Sequence, residues 1–121
     1  MKLSWRSMVV VSALVATSYA VCQEAVMTPK EIRDQWVGKT LVGTSANGGK
    51  VTLMLRSDGS AELSGAATDA GTWRVSENGY CTTWKKIRAG QERCFTARRS
   101  GTNIMALNPD GSVSGTFTEI Q

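Results

Sequence analysis

Two hydrophobic periods divide the chain. Between Thr28 and Gly38, Ile32, Trp36 and Val37 fall on one face at helical spacing, whereas Val51, Leu53 and Leu55 alternate with Thr52, Met54 and Arg56. The first pattern predicts a short helix. Thr28-Pro29-Lys30-Glu31 supplies a capping box with proline at the first helical position, and Gly38 ends the run. Two turns of helix do not stand alone in water, so this one is expected to plug or cover a sheet. The second pattern is that of a strand with one face buried. Asn47-Gly48-Gly49, Asp58-Gly59, Asn78-Gly79, Ser100-Gly101 and Asp110-Gly111 supply the positive φ angles of tight hairpins. Strands are expected near 39–45, 50–56, 60–65, 71–76, 80–87, 92–99, 102–107 and 112–118. Eight short hairpin-linked strands predict an all-β, up-and-down antiparallel meander, which hides its edges by closing into a barrel. A two-sheet sandwich is the alternative.

The first residues follow a different logic. Lys2 and Arg6 precede the run Met8–Ala16, apolar except for Ser12, and Ser18-Tyr19-Ala20 places small residues where a signal peptidase inspects them. Residues 1–20 are therefore read as a signal peptide cut after Ala20, residues 21–27 as a flexible leader, and residues 28–121 as the barrel domain. The apolar run is too short to cross a bilayer. A lipoprotein signal would need a small residue before Cys22, and Val21 stands there. Export implies a periplasmic or secreted protein. Without Lys2 and Arg6 the net charge falls from +4 to +2.

An oxidising compartment changes the reading of the cysteines. Cys81 and Cys94 are the natural disulfide pair, and Cys22 is left over, with dimerisation, pairing to another molecule and a free thiol all open.

Candidate chemistry is sparse. The chain has no histidine, the commonest general base and metal ligand, and its carboxylates are scattered, several of them in turns. No catalytic residue, metal site or cofactor is assigned, and the expectation is a non-enzyme. The richest stretch is Tyr80–Arg99, with six of the twelve basic residues downstream of Ala20 and one acid, Glu92. Strand alternation sets Tyr80, Thr82, Trp84 and Lys86 on one face, and Cys81, Thr83, Lys85 and Ile87 on the other. A loop near Lys86–Gln91 would bring Cys81 opposite Cys94 and staple the hairpin. Trp84, Lys85, Lys86, Arg88, Arg93, Arg98 and Arg99 are the candidate binding residues, for an anionic glycan, a lipid or an envelope protein. The competing reading places Trp84 and Phe95 in the core and leaves the charges to keep an edge soluble. Nucleic acid does not fit an exported protein.

The segments Gly71-Thr72-Trp73-Arg74-Val75, Tyr80-Cys81-Thr82-Thr83-Trp84-Lys85-Lys86-Ile87-Arg88, Glu92-Arg93-Cys94-Phe95 and Asn108-Pro109-Asp110-Gly111-Ser112, with Gly115-Thr116-Phe117, carry a resemblance. Together they are similar to a family of small exported alphaproteobacterial proteins classed as a domain of unknown function. The resemblance runs from the capping-box helix to the end of the chain, and its most specific element is the cysteine pair bracketing a Trp-basic segment. It implies a periplasmic or secreted location and a lipocalin-like barrel, with no assigned activity and no catalytic residues to carry over. The expected function is surface binding of a polyanion through the stapled hairpin; the alternatives are carriage of a small apolar ligand inside the barrel, or inhibition of or interaction with an envelope protein. An eight-stranded interior has room for one small ligand or for side chains only, and Trp36, Trp73 and Trp84 are enough to fill it outright. Quenching of their fluorescence by fatty acids or retinoid-like probes separates the first two readings, because a filled barrel shows none.

Overall fold

The computed structural model describes residues 25–121. The segment expected to be a signal peptide cut after Ala20, and Cys22, lie outside the described residues. Among the described residues, nine strands, one α-helix and one 3-10 turn occur in the order β1 (Ala25–Val26), α1 (Pro29–Trp36), β2 (Thr40–Ser45), β3 (Lys50–Leu55), β4 (Ser60–Gly65), β5 (Asp69–Val75), β6 (Tyr80–Trp84), the 3-10 turn (Ile87–Gly90), β7 (Arg93–Ser100), β8 (Asn103–Leu107) and β9 (Val113–Ile120). Strands β2 to β9 each pair antiparallel with the next, and β9 returns to β2. The eight-stranded meander is thus closed, and the barrel rather than the sandwich is the fold. At the closing seam the register shifts between Val42 and Gly43. A Cβ on Gly43 would lie 2.0 Å from the Thr116 carbonyl oxygen, so β9 can approach β2 this closely only at glycine.

The predicted helix forms with its predicted cap. The Glu31 amide donates to Thr28 Oγ1 at 3.1 Å, and the Thr28 amide donates to Glu31 Oε1 at 3.2 Å. Ile32 and Trp36 are buried without exposure, and Gly38 ends the segment at φ 76°. Trp36 meets Tyr80 and Phe117 edge to face, with ring centroids 5.2 and 5.9 Å away. The helix plugs one end of the barrel. Met27, Leu41 and Leu55 complete a buried apolar layer around it.

Two local findings differ from the sequence reading. The leader showed no pattern, yet Ala25 and Val26 pair with Arg99 and Arg98, and Met27 is buried. The cause lies in β7, which pairs with β6 only from Arg93 to Phe95 and then runs on with β8. Strand β1 takes up the unpaired edge, as ladder groups away from water require. Strand β6 also stops at Trp84, three residues earlier than expected, because its next amides bind a side chain instead of a strand.

Candidate functional site

The two ends of the barrel differ in filling. At the end opposite α1 the connections 46–49, 66–68, 85–92 and 108–112 surround an open mouth. Beneath it lies a cavity of about 570 Å³. Tyr80 and Phe117 form its floor, the same rings that close over Trp36 from above. Val51, Leu53, Leu63, Trp84 and Phe95 are among its walls. From Tyr80 to Trp84 the strand runs about 13 Å at ~3.3 Å per residue, which at the roughly 40° tilt of barrel strands gives a depth of about 10 Å. The volume falls within the range of small-molecule sites, roughly 300–1,000 Å³.

The connection after β6 shapes the mouth. Asp69 opens β5, and the pairing of Gly71 with Trp84 sets it opposite the residues that follow β6. Its Oδ2 accepts the amides of Lys86 and Ile87, each at 2.9 Å, while Oδ1 accepts the amide of Ala70 at 2.8 Å. Those donors, the Ile87 amide foremost, hold the Asp69 carboxyl below its usual range against the opposing cost of burial. Arg88 and Ala89 then adopt left-handed backbone, φ 55° and 52°, and the chain reverses. Side chains other than glycine hold such angles only where surrounding structure fixes them. Here the Asp69 tether fixes one side and the disulfide the other.

The reversal sends Arg88 back into the barrel. Its Nη2 donates to Thr82 Oγ1 at 3.0 Å, and its guanidinium carbon sits 5.3 Å from the centre of the Phe95 ring. Burial first, and the neighbouring Arg93 second, push the Arg88 pKa down, but a guanidinium remains charged at any ordinary pH. Arg93 lies opposite Thr82 at the start of β7 and lines the same cavity from an exposed position. Neither arginine has a carboxylate within ion-pair distance among the described residues, and no aspartate or glutamate lines the cavity.

The disulfide forms as expected between Cys81 and Cys94, directly opposed with their Cα atoms 3.9 Å apart. It sits on the outer wall, since Tyr80, Thr82 and Trp84 take the inner face. Beside it Arg74 grips Glu92 with two hydrogen bonds, 3.0 and 2.7 Å. Cys81, Glu92 and Cys94 bring potential metal-ligand atoms within 4.8 Å of one another. With both sulfurs joined to each other, neither is a thiolate, and the group is not a metal site in this state.

The seven candidate binding residues do not share one surface. Trp84, Arg88 and Arg93 line the cavity. Lys85 and Lys86 are exposed outside it, against a shallow hollow that also holds Arg56, Glu62 and Asp69. Arg98 and Arg99 lie toward the plugged end. There Arg99 donates to Gln35 Oε1 at 2.6 Å and pairs with Glu31 at 3.3 Å, while Arg98 stands in register with Val26 and Met105. Of the three tryptophans, Trp36 fills the lower layer. Trp73 packs half-buried against the core and donates to the Arg56 carbonyl at 2.7 Å, and Trp84 is a wall of the cavity rather than its filling. Asp69 was not singled out from the sequence. A lone acid before a strand carries no local mark of its role, which arises only from the β5–β6 register.

No family model, curated protein or solved structure matches the chain. Its own geometry is what bears on function. Among the described residues no helix is long and apolar enough to cross a membrane.

Proposed function

We propose that the protein is an exported, non-enzymatic binding protein that holds a small, largely apolar molecule inside its barrel. One observation carries this reading: half of the interior is packed by α1, and the other half is a cavity of about 570 Å³ that opens at the barrel mouth. A barrel meant only to be stable would fill that space, since close packing is the rule in protein interiors. The signal-like first twenty residues and the disulfide support export to an oxidising compartment. Polyanion binding through the hairpin surface is less well supported, because Lys85 and Lys86 are its only members exposed together outside the cavity.

Titration with a neutral apolar fluorophore such as N-phenylnaphthylamine tests the proposal. The parent protein is expected to bind the probe saturably, with enhanced probe emission. Leu63→Trp, which adds bulk to the cavity wall, should lose most of that affinity while keeping its thermal transition. Absence of saturable binding in the parent, or equal binding by a folded Leu63→Trp protein, would remove the reading.

A further inference from the structure

Resting on that reading, we infer that the molecule held in the cavity is an amphiphile with a single carboxylate, received between Arg88 and Arg93, with its apolar tail lying against the rings and aliphatic walls below.

Two features of the site point to this class. First, the cavity is asymmetric in charge. Two guanidinium groups line it and no carboxylate does. Four cations elsewhere are matched, Arg74 by Glu92, Arg56 by Glu62, Lys30 by Asp34 and Arg99 by Glu31, and others, such as Lys85 and Lys86, stand exposed to water; Arg88 is drawn inward with neither a carboxylate nor full exposure. A charge drawn into an apolar enclosure without a counterion is costly unless something supplies one. Second, Arg88 is held inward by construction. Left-handed backbone at two consecutive non-glycine residues, the Asp69 tether on the preceding amides and the Thr82 hydrogen bond all aim one side chain inward. Keeping an edge soluble would need none of these, because an outward lysine or arginine suffices.

Charge and shape then narrow the ligand. Thr82 takes Nη2, and no carboxylate takes any other Arg88 donor among the described residues, so the guanidinium retains capacity for an anion. Arg93, in register with the Thr82 that Arg88 bonds, adds a second donor set, and an anion between the two relieves the unfavourable charge that Arg93 places beside Arg88. Below, Leu53, Trp84, Phe95 and Phe117 offer no partner for a second charge. A molecule with one anionic end and an apolar body fits, and one charged at both ends does not. With a depth of about 10 Å along the barrel axis, a medium-length acyl chain is accommodated when bent or with its head at the mouth.

Isothermal titration of the oxidised protein with decanoate, decanol and decyltrimethylammonium, each kept below micelle formation, tests the inference. Decanoate should bind most tightly and the cationic amphiphile least. Arg88→Gln and Arg93→Gln should each weaken decanoate about tenfold or more, the scale of one lost charged hydrogen bond, while leaving decanol unchanged. Arg88→Lys should restore part of the loss. If decanoate and decanol bind equally and neither glutamine variant changes this, the carboxylate is not what the site selects, and the cavity reading still stands. If none of the three binds while the thermal transition is intact, the cavity reading fails and takes this inference with it. Arg93→Gln leaves the left-handed turn untouched, so its result remains decisive should Arg88→Gln disturb the loop.

Discussion

The two halves of this barrel share the same strands and differ in what fills them. Toward α1, Trp36, Ile32, Met27, Leu41 and Leu55 are buried almost completely. Toward the mouth, the same inward alternation leads to a hollow, with Leu63 and Ile87 only partly buried and two arginines facing the space. One β-framework thus carries a structural end and a receptive end. The difference comes from a single added element: a two-turn helix that inserts at one end and has no counterpart at the other. Stability is expected to reside in the plugged half, and ligand selection in the open one.

The sharpest break of that division is Trp36→Ala. It removes the ring that joins the helix to Tyr80 and Phe117, and truncations of this kind cost about 3–5 kcal/mol. Leu63→Ala, in the wall of the open half, should cost about 1 kcal/mol or less, because much of that side chain already faces free space. Denaturant unfolding of both variants measures the contrast. Equal losses would mean that the upper half is packed in solution and that the division is wrong.

The disulfide gives a smaller effect that spans both halves. It joins β6 to β7 beside the tethered mouth connection, with a sequence separation of 13. In the chain-entropy description a loop of this size is stabilised by roughly 3 kcal/mol. Cys81→Ala with Cys94→Ala should lower global stability by up to that amount. It should also loosen the 85–92 connection more than the helix end, seen as faster amide exchange at Ile87 than at Ile32. Uniform acceleration along the chain would show that the bridge serves the whole barrel rather than its mouth.

How much of this was legible beforehand follows the same division. The plugged half was readable because its signals are local: the Thr28–Glu31 box, Pro29, Gly38 and the Ile32–Trp36 spacing each specify one helix with one buried face. The eight strands were likewise marked by turn dipeptides and alternation, and the cysteine pair by its position across one hairpin. The open half was not readable. Strand alternation extended β6 to residue 87 and placed Lys86 beside Trp84, but Asp69, seventeen residues before Lys86 in the chain, captures the Lys86 amide and ends the strand. Arg88 was grouped with surface charges because nothing in a basic run marks which member turns inward. That choice depends on two left-handed residues and on a register between strands, neither of which has a signature in the neighbouring sequence. Whether three tryptophans fill a barrel is also a question of depth, and only Trp36 proves to be filling.

The smallest expected effect concerns the Asp69 tether and follows from the sign of its displaced titration. The folded protein holds this carboxyl below the usual aspartate value of about 3.9, because three backbone amides donate to the ionised form. A group displaced downward stabilises the fold at every pH above its unfolded value and loses that contribution as pH falls through its folded value. The tether is therefore intact at neutral pH and weakens only in acid below about pH 4. Exchange at the Lys86 and Ile87 amides, corrected for intrinsic rate, should accelerate over that acid range, ahead of the amides of α1. Asp58 and Asp110 are displaced the same way by Ser60 and Ser112, but those contacts close their own turns and touch neither amide. Asp69→Asn keeps an acceptor oxygen and discards the charge, so the variant should show a flat pH profile at these two amides. A parent protein whose Lys86 and Ile87 amides stay protected down to pH values that protonate every carboxylate would mean that the mouth is held by the disulfide alone. The inward aim of Arg88 would then owe nothing to Asp69.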